Sequence, residues 1–101
     1  MTVGLEQRDI DCLHQAFGQF PEIEQVLIFG SRAKGTAKPG SDIDLALKGQ
    51  AVTDRTVLRL RAVLEESPLP YFIDIIDYQT IENTDLLDHI GRVGEVLYQQ
   101  N

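Results

Sequence analysis

Cysteine is nearly missing from this 101-residue chain: Cys12 stands alone, so no internal disulfide can staple the fold. Basic residues are also scarce, 9 Lys and Arg against 16 Asp and Glu, for a net charge of −7. A surface for long DNA or RNA needs clustered cations to displace phosphate counterions, and that excess is absent. Long apolar runs are missing too. None approaches the roughly 20 residues of a membrane span, and the polar, mixed-charge stretch Met1–Asp11 has no secretory pattern. The expected compartment is the cytoplasm. What is present is ordinary for a globular chain, 43% hydrophobic and 25% charged residues, in a length that suits one domain over residues 1–101.

Periodicity divides the chain. Ile10, Leu13, Phe17 and Phe20 recur at mostly helical spacing, predicting a helix that ends near Gly18, with Pro21 as a stop. Val26 to Phe29 is a short, wholly apolar run bounded by Gly30 and reads as a buried strand. Gly30 to Gly40 is a loop, with room for a helical turn after Ser31. From Asp42 to Lys48, Ile43, Leu45 and Leu47 fall on one face of a second strand, and Asp42, Asp44 and Ala46 on the other. Thr53 or Asp54 can cap a second helix through about Glu66, closed by Pro68 and Pro70. Tyr71 to Asp77 reads as a third strand, and Asn83 or Thr84 to Ile90 as a third helix. The apolar tail Val96-Leu97-Tyr98 can pack on the sheet or on a partner. The fold class is α/β (α+β), a small mixed sheet with flanking helices, with a right-handed crossover expected if the second and third strands are parallel.

Two features carry chemistry. Residues i and i+2 on a strand share a face, so Asp42 and Asp44 lie side by side and raise each other's pKa. A plain strand gains nothing from this, whereas Mg²⁺ or Mn²⁺ suits paired carboxylate oxygens. The other is Gly30-Ser31 at the end of a buried strand. Glycine lets backbone N–H groups approach an anion, and the hydroxyl adds a donor. Three of the 9 basic residues, Arg32, Lys34 and Lys38, follow within this loop. Phosphate beside two carboxylates suggests a metal-bound nucleoside triphosphate. Asp74, flanked by Ile73, Ile75 and Ile76, is a costly mid-strand carboxylate unless it has a partner, and as a sheet neighbour of Asp42 and Asp44 it could share their metal. Asp77 is its rival but sits at the strand end, where turn and cap residues belong. His14 and His89 lie on separate helices with no ligand spacing and read as surface or half-buried side chains.

Gly30-Ser31, ten intervening residues, Asp42-x-Asp44 and a later Asp74 in an apolar strand together resemble the nucleotidyltransferase superfamily that includes DNA polymerase β. Phe29-Gly30-Ser31-Arg32-Ala33-Lys34-Gly35 and Ser41-Asp42-Ile43-Asp44-Leu45-Ala46 are similar to its minimal branch, the MNT proteins, and the resemblance runs on through Leu69 to Asp74 and to the tail at Tyr98. The resemblance implies a polymerase β-like fold in which Gly30 and Ser31 hold the β- and γ-phosphates of the nucleotide, ATP; from its place in the loop, Arg32 is either a further phosphate contact or a solvated loop residue. Asp42, Asp44 and Asp74 would bind one or two Mg²⁺ ions, and Asp74 would help deprotonate the acceptor hydroxyl. It further implies a HEPN-domain toxin as partner, silenced by AMP placed on a tyrosine. Two other readings stand beside this one: a catalytically silent module that neutralises a partner by contact, and transfer onto a small molecule. Base preference, the number of units added, and homo- or hetero-oligomeric state are left open.

Overall fold

A computed structural model describes residues 4–34 and 42–100. Its first helix, α1 (Gln7–Phe17), buries Ile10, Leu13, Ala16 and Phe17 along one stripe. Strand β1 (Gln25–Phe29) follows, then the short helix α2 (Ser31–Lys34) and strand β2 (Ile43–Lys48). Helix α3 (Asp54–Glu65) starts at Thr53, whose Oγ1 accepts the Thr56 N–H at 3.4 Å while Thr56 Oγ1 accepts the Thr53 N–H at 3.2 Å. Strand β3 (Ile73–Asp77) leads through a 3₁₀ turn (Tyr78–Thr80) to helix α4 (Thr84–Val93). Asn83 caps α4 by accepting the Asp85 and Leu86 N–H groups at 2.9 and 3.1 Å.

The tail becomes a fourth strand, β4 (Glu95–Gln99), antiparallel to β1 and slipped in register between Val26 and Leu27. This settles the placement that the tail's composition left open: β1 has one edge free for it. His14 of α1 holds the strand from behind, its Nε2 2.6 Å from the Leu97 carbonyl oxygen. The sheet runs β3-β2-β1-β4. β1 and β2 are antiparallel, whereas β2 and β3, joined by α3, are parallel.

Both faces of this sheet are covered, which is why the central strand β1 is apolar from Val26 to Phe29. Under α1 and α3 lies the larger core, with Phe17, Leu13, Val26, Ile28, Ile43, Leu45, Leu47, Leu60 and Ile75. Under α4 lies a smaller one, built on Phe29, Ala46 and Ile90 with Leu27, Ile76 and Leu86 against them. Each buried aliphatic side chain of this kind contributes roughly 1.5–3 kcal/mol. The smaller core stops short at the end of β1. There the α4 face of the sheet carries carboxylates in place of aliphatic side chains.

Candidate active site

The carboxylates are placed by register. Asp44 is the partner of Asp74 across the parallel pair, and of Phe29 across the antiparallel pair. Neighbouring strands lie about 4.8 Å apart, so the two acidic side chains stand side by side on the α4 face. Asp42 precedes β2 by one residue and is exposed; Asp74 is exposed and Asp44 half-buried. Burial pushes the Asp44 carboxyl above its ordinary value, and the charges of Asp74 and Asp42 raise it further, while His89 draws it back. Asp42, Asp44 and Asp74 therefore form one electrostatic group.

The turn after β1 closes over Asp44. Gly30 has φ +76°, which a glycine adopts without steric cost. A Cβ at this position would collide with Asp44 Oδ2 and lie 3.2 Å from Cγ, so the absence of a side chain lets the backbone sit on the carboxylate. Ser31 opens α2, as the sequence predicts for a helical turn.

Arg32 is 3% exposed. Its Nη1 donates to the Gly4 carbonyl at 3.2 Å and its guanidinium carbon lies 4.8 Å from the centre of the Tyr71 ring. Tyr71 in turn donates to Asp9 of α1 at 3.1 Å. This series ties the base of the loop to α1 and to the entry of β3. Lys38 lies outside the described residues. Asp77 is 6% exposed and accepts the Gln79 N–H at 3.1 Å, the capping role its position suggests.

His89 is the residue that sequence reasoning passed over. Its Nε2 accepts the Gly30 N–H at 3.2 Å, and its ring meets Phe29 edge-on at 6.1 Å between centroids. An accepting Nε2 leaves the ring proton on Nδ1. Helical spacing held the signal: Leu86, His89 and Ile90 follow i, i+3, i+4, the stripe that faces the sheet.

Among the described residues no three His, Cys, Asp or Glu side chains are grouped closely enough to hold a metal ion by themselves. Such a grouping is not required for Mg²⁺, which keeps several waters and is held by one or two carboxylates together with substrate phosphates. The donor set fits: hard oxygens, like charges that a cation would relieve, and a glycine turn beside them.

Residues 11–101 match the family model described as polymerase beta, nucleotidyltransferase, and the chain belongs to that family. It is 37% identical over 76 residues to the protein of Haemophilus influenzae named probable protein adenylyltransferase MntA, covering 74% of this chain and 66% of that one. The chain thus spans just under two thirds of that relative. Among solved structures, a toxin-antitoxin crystallised with AMP-PNP superposes with a TM-score of 0.74 at 22% identity, covering 92% of this chain and 75% of the other. A Shewanella oneidensis complex of tri-AMPylated HEPN toxin with MNT antitoxin superposes with a TM-score of 0.64 at 18% identity, covering 95% and 74%. These likenesses confirm the polymerase β-like fold.

Proposed function

We propose that this chain is an adenylyltransferase that moves AMP from ATP onto a tyrosine hydroxyl of a HEPN-domain toxin and thereby acts as its antitoxin. The observation that carries the reading is the pairing of Asp44 with Asp74 across β2 and β3, under a Gly30 turn packed on the Asp44 carboxylate. The names of the Haemophilus relative and of the Shewanella complex support the donor, acceptor and partner. A cellular ATP pool makes the cytoplasm the compartment this reading requires. No helix among the described residues is long and apolar enough to cross a membrane.

In the mechanism, Gly30 and Ser31 hold the β- and γ-phosphates through backbone N–H groups at the end of β1. Asp42 and Asp44, with Asp74 beside them, would hold Mg²⁺, which when bound supplies charge neutralisation at the phosphates. Asp74 accepts the proton of the acceptor hydroxyl. The acceptor oxygen bonds to the α-phosphorus, the bond from that phosphorus to the α–β bridging oxygen breaks, and pyrophosphate leaves. We assign Arg32 to holding the loop in place from its buried side.

Transfer of label from ATP marked at the α-phosphate tests this reading, with Mg²⁺ and a HEPN-domain protein as acceptor. Label should appear on the HEPN protein and vanish with Asp44→Asn. An inhibited, unlabelled partner would refute the enzymatic reading in favour of neutralisation by contact. Label on small hydroxyl compounds alone would refute the protein acceptor.

A further inference from the structure

The glycine turn begins where the sheet stops. Pairing of β1 with β2 ends at Phe29, opposite Asp44, and pairing of β1 with β4 ends at Ile28, opposite Glu95. The Gly30 N–H lies beyond both ladders, and a half-buried amide there needs an acceptor from elsewhere. Helix α4 supplies it: His89 Nε2 accepts this N–H at 3.2 Å.

The imidazole is held for the contact. Its neighbour Ile90 is buried in the smaller core, Leu86 packs against the same cluster, and the ring itself meets Phe29 edge-on. Gly30 is thus fixed at two points. Its Cα side lies against the Asp44 carboxylate, and its N–H is tied to α4. Two residues on, Arg32 is held by the Gly4 carbonyl and by Tyr71, which packs on the larger core. The start of the loop is therefore gripped from both layers of the fold.

We propose that His89 is a positioning residue for the nucleotide: from α4 it fixes the direction of the Gly30 N–H and so sets the turn that receives the β- and γ-phosphates. The inference rests on the adenylyltransferase reading. A phosphate oxygen can share that N–H as the second acceptor of a three-centre bond, and the Ser31 N–H, next in the chain, takes its direction from Gly30. Donors aimed in advance need no reordering when the phosphates arrive. His89 acts through Gly30 and not on the reacting atoms, so its effect falls on ATP binding and not on the chemical step.

Two substitutions separate the acceptor from the ring. His89→Phe keeps an aromatic side chain beside Phe29 but cannot accept the N–H. His89→Gln loses the ring but carries a carbonyl oxygen at similar reach. Because His89 is half-buried and Leu86 and Ile90 make the core contact, both variants fold, which thermal melts verify. Calorimetry with Mg²⁺ and an ATP analogue bridged by methylene between the α- and β-phosphorus reads binding directly, with AMP as the ligand lacking the outer phosphates. Label transfer from ATP to a HEPN-domain protein reads KM and kcat.

His89→Phe should weaken the analogue about fivefold, the worth of one hydrogen bond, and raise the KM for ATP alike. Affinity for AMP and kcat should stay within about twofold. His89→Gln should return the analogue to within about twofold of wild type. Wild-type affinity in His89→Phe overturns the proposal. So does equal weakening of AMP, or a loss in His89→Gln as large as in His89→Phe, since either makes the ring a structural prop. Wild type that binds the analogue but labels nothing would sink the adenylyltransferase reading itself; wild type that labels while His89→Phe matches it in the KM for ATP would sink the role of His89 alone.

Discussion

Replacing Gly30 by alanine probes the closest approach in the site. Two costs arise. At φ +76° an added Cβ meets the following carbonyl, roughly 1–2 kcal/mol. The same Cβ collides with Asp44 Oδ2, so the carboxylate must rotate off its position, roughly 0.5–1.5 kcal/mol. Together they amount to about 2 kcal/mol, or a fall in the thermal midpoint of roughly 10 °C for a domain of this size. Transfer should fall far more, about a hundredfold, because the displaced group is the carboxylate proposed to face the metal and the α-phosphate. Circular dichroism melts and label transfer measure the two effects. The decisive comparison is the same substitution in an Asp44→Ala background. There the nearest remaining Asp44 atom is Cβ at 3.6 Å, an ordinary contact, so only the backbone cost survives. The two changes should be coupled by about 1 kcal/mol. Equal costs in both backgrounds would refute the packing of Gly30 on the carboxylate. Gly91→Ala is the control: nothing lies within 4 Å of its added Cβ inside α4, and it should stabilise by roughly 0.5–1 kcal/mol.

Asp44→Asn should abolish transfer yet raise the stability of the metal-free protein at pH 7. A carboxyl raised on folding contributes stability that is complete at low pH and lost as pH climbs from the unfolded value through the folded one. Urea midpoints of wild type and variant should therefore agree in acid and diverge towards neutrality; parallel curves would refute the shift. Mg²⁺ with ATP at about a hundred times its dissociation constant should stabilise wild type by roughly 2.7 kcal/mol and leave an Asp42→Asn, Asp44→Asn double variant unmoved, which differential scanning fluorimetry would show. Asp74→Ala should preserve the melting point while cutting transfer at least about a hundredfold. Asp77→Ala should do the reverse, losing about 1 kcal/mol with the cap to Gln79 while keeping activity. Exchange of these outcomes would reverse the roles given to the two residues.

Much of this protein was legible in local pattern. Alternation along Ile43 to Lys48 already put Ile43, Leu45 and Leu47 on one face and Asp42, Asp44 and Ala46 on the other, because the two-residue period of a strand needs no knowledge of its neighbours. The helices announced themselves through their apolar stripes, and Thr53, one of two candidate caps, took that place. The Gly30-Ser31 and Asp42-x-Asp44 spacing is likewise linear information, and it was enough to point to the nucleotidyltransferase family.

Tertiary structure decided what depends on pairing between distant segments. Val96 to Tyr98 could not be assigned by composition, since a short apolar tail becomes a strand only if a sheet edge is open to receive it, and β1 has one. Asp74 meets Asp44 through a parallel register that no local signal specifies. His89 reaches the Gly30 N–H from 59 residues away. Arg32, which by sequence stands in the phosphate loop, packs over Tyr71 and donates to the Gly4 carbonyl, contacts between distant segments that no local pattern specifies. The sequence by itself determined which residue types share a strand face or a turn, because those periods are properties of the chain. Which faces meet, and so which carboxylates share a charge, was decided only when long-range pairing brought separate strands into register.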